Sequence, residues 1–592
     1  MSVDSHKVMK SIHFALAESG FIRSASVGKN IYEKTISKSN VDFPIKICII
    51  DPYFRKKPIV LLTDRPKDLP SLLPHVFFEK ALCYLDDRGV EFDRYNPRYN
   101  VALMLAALDS LLGQFVSDQE TLQFELRREL PAYWRRDYSD AVFMAANDSK
   151  FLFELFTRTD LNGVSIDEII LADSAHSAKA WQNKRRGNKV TKLSGPGFLF
   201  ELPHDVSIPP VNWPPSSIAE LDQWLNHART CSVRHRVLNA VFTSLAEDRC
   251  CFVVFQLHQM LFGGLVSFTN PTAVNAIKRN FRLTKQGSRG KNKQFLPDAK
   301  RISTLISRVD KLEQGSTFMR FAINDARLTS IGTRNTTADK NLSGVTIAVI
   351  GCGTLGGYTA SLLCQVGAGT GGGRIELYDC DYLTTENLSR HLLGVPYVGE
   401  NKSEAIAHML SDQSAGDLNI TAHSYNFEVE DVRLLSQKFD LVVDTTGDIG
   451  FSTSLCHHLH RIESPVPVIY GWIDAGGLAA RTLLDDYRPR GGCYGCLKQR
   501  SPDGVVAERF QLFKSGAVLP EWKPRPCGLG GYMPFSSQAS VTTSGLVQNL
   551  CIDWANNSPS PRFRHISLDP RVCQTKNADI KSLPDCPCCR TE

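Results

Sequence analysis

The chain has 592 residues, enough for three or four domains of roughly 100–200 residues each. Hydrophobic residues make up 42% of it and charged residues 22%, as in ordinary globular proteins, which excludes a largely disordered or collagen-like chain. The net charge of +6 is small for this length and by itself does not indicate nucleic-acid binding.

The sequence shows no pattern typical of a secreted or membrane-spanning protein. Its first residues lack the apolar core and the cleavage site of a signal peptide. The most apolar stretch, Tyr99–Val116, is interrupted by Asp109 and predicts a buried helix. The 17 cysteines are an odd number, and without a secretion signal they are expected to be thiols, metal ligands or nucleophiles. We therefore expect a soluble, cytoplasmic protein that contacts no membrane.

Residues 1–145 predict a helix, then strands, then helices. The apolar patterns and the Pro and Asp residues between them set the limits of these elements. The predicted elements are a helix at His6–Ser19, strands at Phe43–Ile50 and Pro58–Thr63, and helices at Tyr99–Val116 and Thr121–Leu130.

Residues 146–320 predict a mixed α+β region. Strand-like runs occur at 163–175 and 248–258. Gly195–Pro215 is rich in proline and glycine and predicts a loop. Lys278–Arg301 carries nine Lys and Arg residues against one acid. A solvated basic linker is the expectation for such a run, and contact with a polyanion is the alternative.

From about residue 340, strands alternate with helices, which predicts a doubly wound α/β domain. The predicted strands are Val345–Ile350, Arg374–Tyr378 and Leu441–Val443, and the predicted helices are Leu355–Val366 and Lys402–Leu410.

A glycine-rich loop follows the first of these strands. Gly351, Gly353 and Gly356 form a G-x-G-x-x-G pattern that opens a helix, where free backbone N–H groups and the helix dipole favour a phosphate. Asp379 ends the next strand, where a carboxylate can accept hydrogen bonds from ribose hydroxyls. Up to this point, a dinucleotide-dependent dehydrogenase explains the pattern equally well.

The residues after Asp379 distinguish a dinucleotide site from a nucleoside triphosphate site. Asp381, Asn387, Arg390 and Lys402 follow it. Hydride transfer does not need this cluster. A nucleoside triphosphate does, because Arg and Lys neutralise phosphate charge and carboxylates hold Mg²⁺.

This order of motifs resembles the ThiF-type adenylation domain shared by ubiquitin-activating enzymes and bacterial sulfur-carrier activators. The resemblance covers roughly Gly344 to Cys589, and His391 stands where that family has Gln. It implies ATP, Mg²⁺ and adenylation of the C-terminal carboxylate of a protein, with release of pyrophosphate. It also implies a homodimer.

The same family places a further Mg²⁺-binding carboxylate on a loop after a later strand. Alignment without gaps puts Gly447 at that position, and Asp448 is one place later. We predict that Asp448 is this ligand, with Asp444 as the alternative. A helix N-cap is the competing role for either residue.

Two pairs of cysteines lie about 90 residues apart. Cys493 and Cys496 form one C-x-x-C pair, and Cys586 and Cys589 form the other, with Cys588 as a spare thiol. Four thiolates in this spacing predict a structural Zn²⁺. Unmetallated thiols are the alternative.

Cys527 lies in a loop rich in Pro and Gly, beside Lys523 and Arg525. Nearby cations favour the thiolate, and an exposed loop suits a nucleophile. Its placement resembles the thioester-forming cysteine of ubiquitin-activating enzymes. A buried structural cysteine is the alternative.

The N-terminal region resembles ubiquitin-conjugating enzymes. His75 follows Pro74 and precedes Cys83 by eight residues, the spacing of that family's His-Pro-Asn motif and its active cysteine. The resemblance implies that Cys83 is a conjugating cysteine. Phe77 falls where the family has the Asn that supports the oxyanion. A plain core cysteine is the alternative at this position.

The two resemblances together are those of the fused activating–conjugating enzymes of bacterial CBASS antiviral islands. They imply a conjugating-like domain at 1–145, a middle domain at 146–320 and an adenylation domain at 321–592. The implied donor is a cGAS-like nucleotide synthase with a free C-terminus, and the implied acceptors are lysines, with no direct nucleic-acid contact. The rivals are a sulfur-carrier adenylyltransferase with an unrelated N-terminal extension and an inactive binding scaffold.

Overall fold

The computed structural model describes most of the chain and divides it into two compact units. One unit comprises residues 1–178 and 187–324, and the other comprises residues 179–186 and 325–592. The described residues are 5–24, 30–70, 72–77, 80–85, 92–134, 140–145, 149–209, 213–227, 230–247, 250–286, 299–313, 317–334, 337–429, 432–518, 521, 523–524 and 531–589.

The N-terminal region of the first unit has the predicted α, β, α order. Its elements are α1 Ser5–Glu18, β1 Ile22–Arg23, β2 Ile31–Lys38, β3 Val41–Cys48, β4 Ile59–Leu62, α2 Pro97–Phe115, α3 Gln119–Arg128 and α4 Leu130–Trp134. The sheet order is β1-β2-β3-β4, and every pair is antiparallel. Among the described residues, no single helix has the length and apolar composition of a membrane span. Only α2 and α3 taken together pass that test, and they are bent by 117°.

One tight turn and one isolated bridge determine the path of this region. Ser39 and Asn40 both have positive φ values, 47° and 64°, and form the two-residue turn between β2 and β3, as hairpins with a right-handed twist require. After β4, Val76 pairs with Leu82 as an isolated antiparallel bridge, and the Leu82 N–H donates to the Val60 carbonyl at 2.8 Å. The segment that carries Cys83 is therefore attached to the sheet.

The middle region of the first unit forms a closed barrel with the strand order β10-β11-β5-β7-β6-β8-β9. Helices pack beside the barrel and share an apolar core with it. Its elements are β5 Asp140–Phe143, β6 Lys150–Thr159, β7 Ser165–Ala172, β8 Asn188–Glu201, α6 Ile218–His227, α7 Cys231–Glu247, β9 Cys250–Leu257, β10 Met260–Ser267, α8 Pro271–Gln286, α9 Ala299–Leu312 and β11 Phe318–Asp325. Between β7 and β8, α5 Ala175–Lys184 begins in this unit and ends within residues 179–186 of the second.

The predicted loop at Gly195–Pro215 is wrong over its first seven residues, which belong to β8. Gly195 and Gly197 serve packing in this strand. A Cβ at Gly197 would lie 1.9 Å from the Phe151 ring, and one at Gly195 would lie 2.8 Å from the Phe153 ring. Glycine in a strand interior often marks such a close approach.

The predicted basic linker is wrong at both of its ends, which are helical. α8 runs to Gln286, and α9 begins at Ala299. In α9, Ile302, Ile306 and Val309 are buried and recur at the spacing of one helix face. α9 therefore has an apolar face that begins just after the basic segment, which the charge count alone does not predict. Residues 287–298 lie outside the described residues.

The second unit is the predicted doubly wound α/β domain. Its sheet has the order β14-β13-β12-β15-β16-β17-β22, and apolar clusters pack against it. The strands β12 to β16 are parallel, and β17 and β22 pair antiparallel at one edge. Its elements are α10 Leu328–Arg334, β12 Thr346–Ile350, α11 Thr354–Gln365, β13 Arg374–Tyr378, α12 Lys402–Gln413, β14 Ile420–His423, α13 Val432–Lys438, β15 Leu441–Asp444, α14 Ile449–Leu459, β16 Val468–Asp474, β17 Ala479–Asp485, β18 Lys498–Arg500, β19 Val506–Glu508, β20 Lys523–Pro524, β21 Gly531–Tyr532, α15 Ser537–Ala555 and β22 Phe563–Ser567.

Candidate active site

The glycine loop lies between β12 and α11, as predicted. Gly351 has a φ of +85°, which favours glycine. Gly356 lies so close to it that a Cβ there would be 1.8 Å from the Gly351 carbonyl oxygen. The Thr445 hydroxyl donates to the same oxygen at 2.7 Å. The turn is therefore held from two sides and presents the N-terminus of α11, with its free N–H groups, to the cavity.

The two glycines that flank the start of α11 give a matched test of this packing. We expect Gly356→Ala to lower the free energy of unfolding by about 1–3 kcal/mol, since the added methyl group meets backbone that must move. A Cβ at Gly353, the N-cap residue of α11, meets nothing within 4 Å, so Gly353→Ala is the control and is expected to cost less, about 0.5–1 kcal/mol for the poorer N-cap. Thermal unfolding of both variants measures the difference, and an equal loss in both would contradict it.

A carboxylate and a lysine stand at the carboxyl end of β13. Asp379 accepts hydrogen bonds from the Cys352 N–H at 2.6 Å and the Asp381 N–H at 2.8 Å. Burial raises the pKa of Asp379, and these two bonds oppose the rise. The Lys402 ammonium donates to Asp381 at 2.8 Å. Asn401 caps α12 and also bonds the carbonyls of Asp379 and Asp381, which fixes Lys402 at the start of that helix.

These groups line one cavity of about 740 Å³. Of the predicted site residues, the structure brings together Gly351, Gly353, Asp379, Asp381, Asn387, Arg390, Lys402 and Asp448. Sequence reasoning missed other residues that line it, among them Asn426, Glu428, Thr446 and Phe535.

Phe535 illustrates how a lining residue escapes a motif search. Its ring lies 5.3 Å from the Arg390 guanidinium carbon, a cation–π contact. The Phe535 backbone also packs closely against Gly477: its Cα lies 3.3 Å from the position that a Cβ on Gly477 would take. No local pattern connects residue 535 with residue 390, since only the fold brings them together.

His391, the departure from the family pattern, is buried beneath the glycine loop. The Leu393 N–H donates to its Nδ1 at 3.1 Å, so Nε2 carries the hydrogen and donates to the Cys352 carbonyl at 3.1 Å. Burial lowers the pKa of His391, which favours this neutral form. His391 therefore supports the loop from below rather than contacting phosphate as a cation.

The structure distinguishes the surroundings of the two candidate Mg²⁺ ligands. Asp448 lines the cavity and also caps α14 by accepting from the Phe451 N–H at 3.0 Å. Asp444 is buried and accepts from the Ser452 hydroxyl at 2.5 Å and from Thr446. Burial raises the pKa of Asp444. The N-cap role weighed for Asp448 is therefore present, and its carboxylate also faces the cavity.

The four predicted zinc ligands lie in one cluster, in which three cysteines are buried and Cys589 is partly exposed. The sulfur of Cys493 is 3.8 Å from that of Cys496 and 3.6 Å from that of Cys586, and Cys496 and Cys589 are 3.5 Å apart. Four sulfurs at about 2.3 Å from Zn²⁺ lie about 3.8 Å from one another in a tetrahedron. All four sulfurs lie within 4.8 Å of each other, so the residues fit a zinc ion.

In the first unit, Cys83 stands opposite His75. The Cys83 N–H donates to the His75 carbonyl at 2.8 Å, next to the bridge between Val76 and Leu82. Opposite residues in such a pairing have Cα atoms about 5.5 Å apart, so the eight-residue spacing places the two side by side. Cys83 is partly exposed. Cys527 lies outside the described residues.

A polar network that sequence reasoning missed surrounds His75. Its Nδ1 lies 2.6 Å from the Glu129 carboxylate, and its backbone N–H donates to the same group at 2.9 Å. The Tyr133 hydroxyl donates to Glu129 at 2.6 Å, and the Tyr133 ring stacks on Phe77. The hydrogen bond with Glu129 raises the pKa of His75. Burial raises the pKa of Glu129, but the bonds from His75 and Tyr133 outweigh it and lower that pKa overall.

This ion pair predicts a pH dependence of stability. The contribution of His75 is complete below its ordinary pKa of 6.5 and is lost as the pH rises through its raised folded-state value. The contribution of Glu129 is present above its ordinary 4.5 and is lost as the pH falls through its lowered value. Both contributions are complete between pH 4.5 and pH 6.5, the two ordinary pKa values. We therefore expect Glu129→Gln to lower the free energy of unfolding most in this range, by about 1.5–3 kcal/mol.

Thermal unfolding at about pH 5.5 and about pH 9 tests this sign. The gap between the unmodified chain and Glu129→Gln should narrow at the higher pH. Glu120→Gln is the control, because Glu120 is exposed in the first turn of α3, at the opposite end of the helix from Glu129. A gap that widens at alkaline pH would show that the pair is not the cause.

Comparison with known proteins agrees with both halves of this description. The ThiF family matches residues 326–552, and prokaryotic E2 family B matches residues 11–143. The ATP-dependent ubiquitin transferase-like protein Cap2 of Escherichia coli (strain TW11681) is 25% identical, over 99% of this chain and 98% of its own. Cap2 of Pseudomonas aeruginosa is 26% identical, over 92% and 91%.

Other matches cover a smaller share of the chain. The adenylyltransferase and sulfurtransferase MOCS3 of Caenorhabditis briggsae is 25% identical over 28% of this chain and 39% of its own. Because the two Cap2 matches span 99% and 92% of this chain, the chain is a homologue of the bacterial ATP-dependent ubiquitin transferase-like protein Cap2, and it carries a prokaryotic E2 family B domain ahead of a ThiF-family domain.

Proposed function

We propose that this enzyme activates the C-terminal carboxylate of a protein with ATP and conjugates it to lysine amines through two cysteines. The carboxylate oxygen attacks the α-phosphorus, and pyrophosphate leaves. The Cys527 thiolate attacks the acyl-adenylate, and AMP leaves. The Cys83 thiolate takes the acyl group from Cys527, and a lysine amine then displaces Cys83 and forms the amide. Thioesters suit this relay because they retain acyl-transfer potential.

The observation that carries the first step is the cavity above the glycine loop. One wall offers the N-terminus of α11 to phosphate, and another offers Arg390 and Lys402. Asp379 stands at the carboxyl end of β13 with one face in the cavity, where it can accept ribose hydroxyls. An inactive scaffold has no use for this set of phosphate-binding groups.

Asp448 and Asp381 are the carboxylates that would hold Mg²⁺, since both line the cavity and offer oxygen ligands. Mg²⁺ would supply charge neutralisation at the phosphates. Lys402 now pairs with Asp381, so it holds that carboxylate in place and is available to turn towards phosphate. The four clustered cysteines, Cys493, Cys496, Cys586 and Cys589, would hold a structural Zn²⁺.

The second half of the relay rests on the surroundings of Cys83. Phe77 occupies the place of the oxyanion-supporting Asn, and its ring is stacked on Tyr133. His75 lies across the hairpin from Cys83 and is held by Glu129. Where ubiquitin-conjugating enzymes have an Asn side chain near the active cysteine, this chain has the His75–Glu129 ion pair.

Resemblance to the CBASS enzymes supports the remaining parts of the proposal. The donor would be a cGAS-like nucleotide synthase primed for antiviral defence, and the enzyme would act as a homodimer in the bacterial cytoplasm. A sulfur-carrier adenylyltransferase is the alternative. The MOCS3 match covers 28% of the chain, whereas the Cap2 matches include the conjugating-like region, and this difference favours the relay.

Incubation with ATP and a cGAS-like synthase tests the proposal. We expect pyrophosphate exchange, a thioester that reductant removes, and a lysine-linked product that reductant leaves intact. Exchange with no thioester at Cys83 would favour the sulfur-carrier alternative, and absence of exchange with any carboxyl donor would favour a scaffold.

A further inference from the structure

A second group of ligand-type side chains lies directly beside the four-cysteine cluster. Cys456 belongs to the last turn of α14, and His460 caps that helix, so the two are four residues apart and project on one face. Asp485 ends β17. The ligand atoms of these three residues and the sulfur of Cys493 all lie within 4.8 Å of one another.

The three side chains converge on one point. His460 Nε2 lies 2.8 Å from Oδ2 of Asp485, and the Cys456 sulfur lies 3.8 Å from the same oxygen. The Asp485 side chain is 4% exposed and Cys456 is fully buried. A carboxylate taken this far out of water must be paired or must coordinate a metal, and a thiol and an imidazole are the partners that complete a zinc-type set of sulfur, nitrogen and oxygen ligands.

Two buried hydroxyls next to this group make a second observation. The Tyr487 ring packs 4.7 Å from the His460 ring, and Tyr470, 1% exposed, belongs to the same apolar cluster as Cys456. Within the described part of the chain, neither hydroxyl has a hydrogen-bond partner. Unpaired buried polar atoms are few in native proteins, and beside a ligand cluster an ion is one of their ordinary explanations.

We propose that Cys456, His460 and Asp485, together with Cys493, hold a second Zn²⁺, so that the Cys493 sulfur bridges two metal ions. One ion would be held by the two C-x-x-C pairs and the other by residues from α14 and β17. Binding requires neutral His460 and the thiolates of Cys456 and Cys493, so every extra proton that the His460–Asp485 pair and these two thiols carry beforehand goes to solvent when the metal binds. The pair of ions would join α14 and the end of β17 to the C-terminal cysteines, which no single four-cysteine site does.

Metal analysis of the full chain, purified without chelator, decides the question. We expect about two zinc ions per chain, because each complete set of ligands holds one ion. His460→Ala and Asp485→Asn should each lower the content to about one, since three ligands then remain at the second position. His457→Ala is the matched control, one turn away on the same helix, and should retain both ions.

The unsubstituted chain also decides without any variant. If the unsubstituted chain holds one zinc ion and Cys496→Ser loses it, that ion belongs to the four-cysteine site. The second site would then be overturned. Substitution with Co²⁺ gives a further measurement, since the ligand field of a site with nitrogen and oxygen differs from that of four sulfurs. Two spectral components should appear, and His460→Ala should remove one of them; a single component in the unsubstituted chain would overturn the bridged pair. Neither measurement depends on conjugating activity.

Discussion

Replacing Arg390 or Lys402 by alanine is expected to reduce ATP–pyrophosphate exchange by about 10²–10³, which corresponds to about 3–4 kcal/mol of transition-state stabilisation. Both cations line the cavity above the glycine loop. Pyrophosphate carries away charge that develops as the α-phosphorus is attacked, and fixed cations neutralise it. Arg390 is held in place by the Phe535 ring, so its charge is already directed when ATP arrives.

The controls separate lost chemistry from lost folding. Lys576→Ala removes an exposed lysine of the same unit that does not line the cavity, and it should exchange at the normal rate. Phe535→Ala should weaken exchange less than Arg390→Ala, because it frees the guanidinium without removing it. Near-normal exchange in both Arg390→Ala and Lys402→Ala would contradict the proposal that this cavity binds the triphosphate of ATP.

The two cysteines of the relay are expected to fail in different ways. Cys527→Ala should still exchange pyrophosphate, because the carboxylate attacks ATP before any thiol is needed, but it should form no thioester. Cys83→Ala should accumulate the thioester on Cys527, because that step is intact and its exit is closed. Neither variant should give lysine-linked product, a loss to the detection limit of the gel.

Gels run with and without reductant after incubation with ATP and donor measure these states. Cys83→Ser sharpens the test, since an oxygen ester at residue 83 survives the reductant that releases a thioester. Cys48→Ala is the control for removing a thiol from the same region, as Cys48 ends β3. Normal conjugation by Cys83→Ala would show that the N-terminal region is not a conjugating domain, and the sulfur-carrier alternative would take first place.

What the sequence could predict was local. The glycine loop, the strand before it and the helix after it depend on residues within a short span, and each lies where the pattern places it. The α, β, α order of the N-terminal region and the doubly wound sheet followed from periodicity for the same reason. The four-cysteine cluster was predicted from two local C-x-x-C patterns, although the fold has to bring together pairs that lie 93 residues apart.

The rest depends on contacts between distant residues. Gly195 and Gly197 resembled turn residues, yet they make room for phenylalanine rings on β6. Glu129 and Tyr133 meet His75 from more than 50 residues away, and no motif connects them. In the sequence, Cys456 and His460 resemble ordinary helix residues, and only the fold brings the Asp485 carboxylate at the end of β17 next to them.

The strand order of the barrel has a consequence for synthesis of the chain. β5 lies between β7 and β11, but β11 is translated roughly 180 residues later, on the order of 10–40 s at about 5–20 residues per second. During that interval, one edge of β5 is without its final neighbour, and an open edge is a template for unwanted pairing. Slower translation lengthens the time for which this edge is open, so it should raise the fraction of chains that aggregate and lower the yield of native protein.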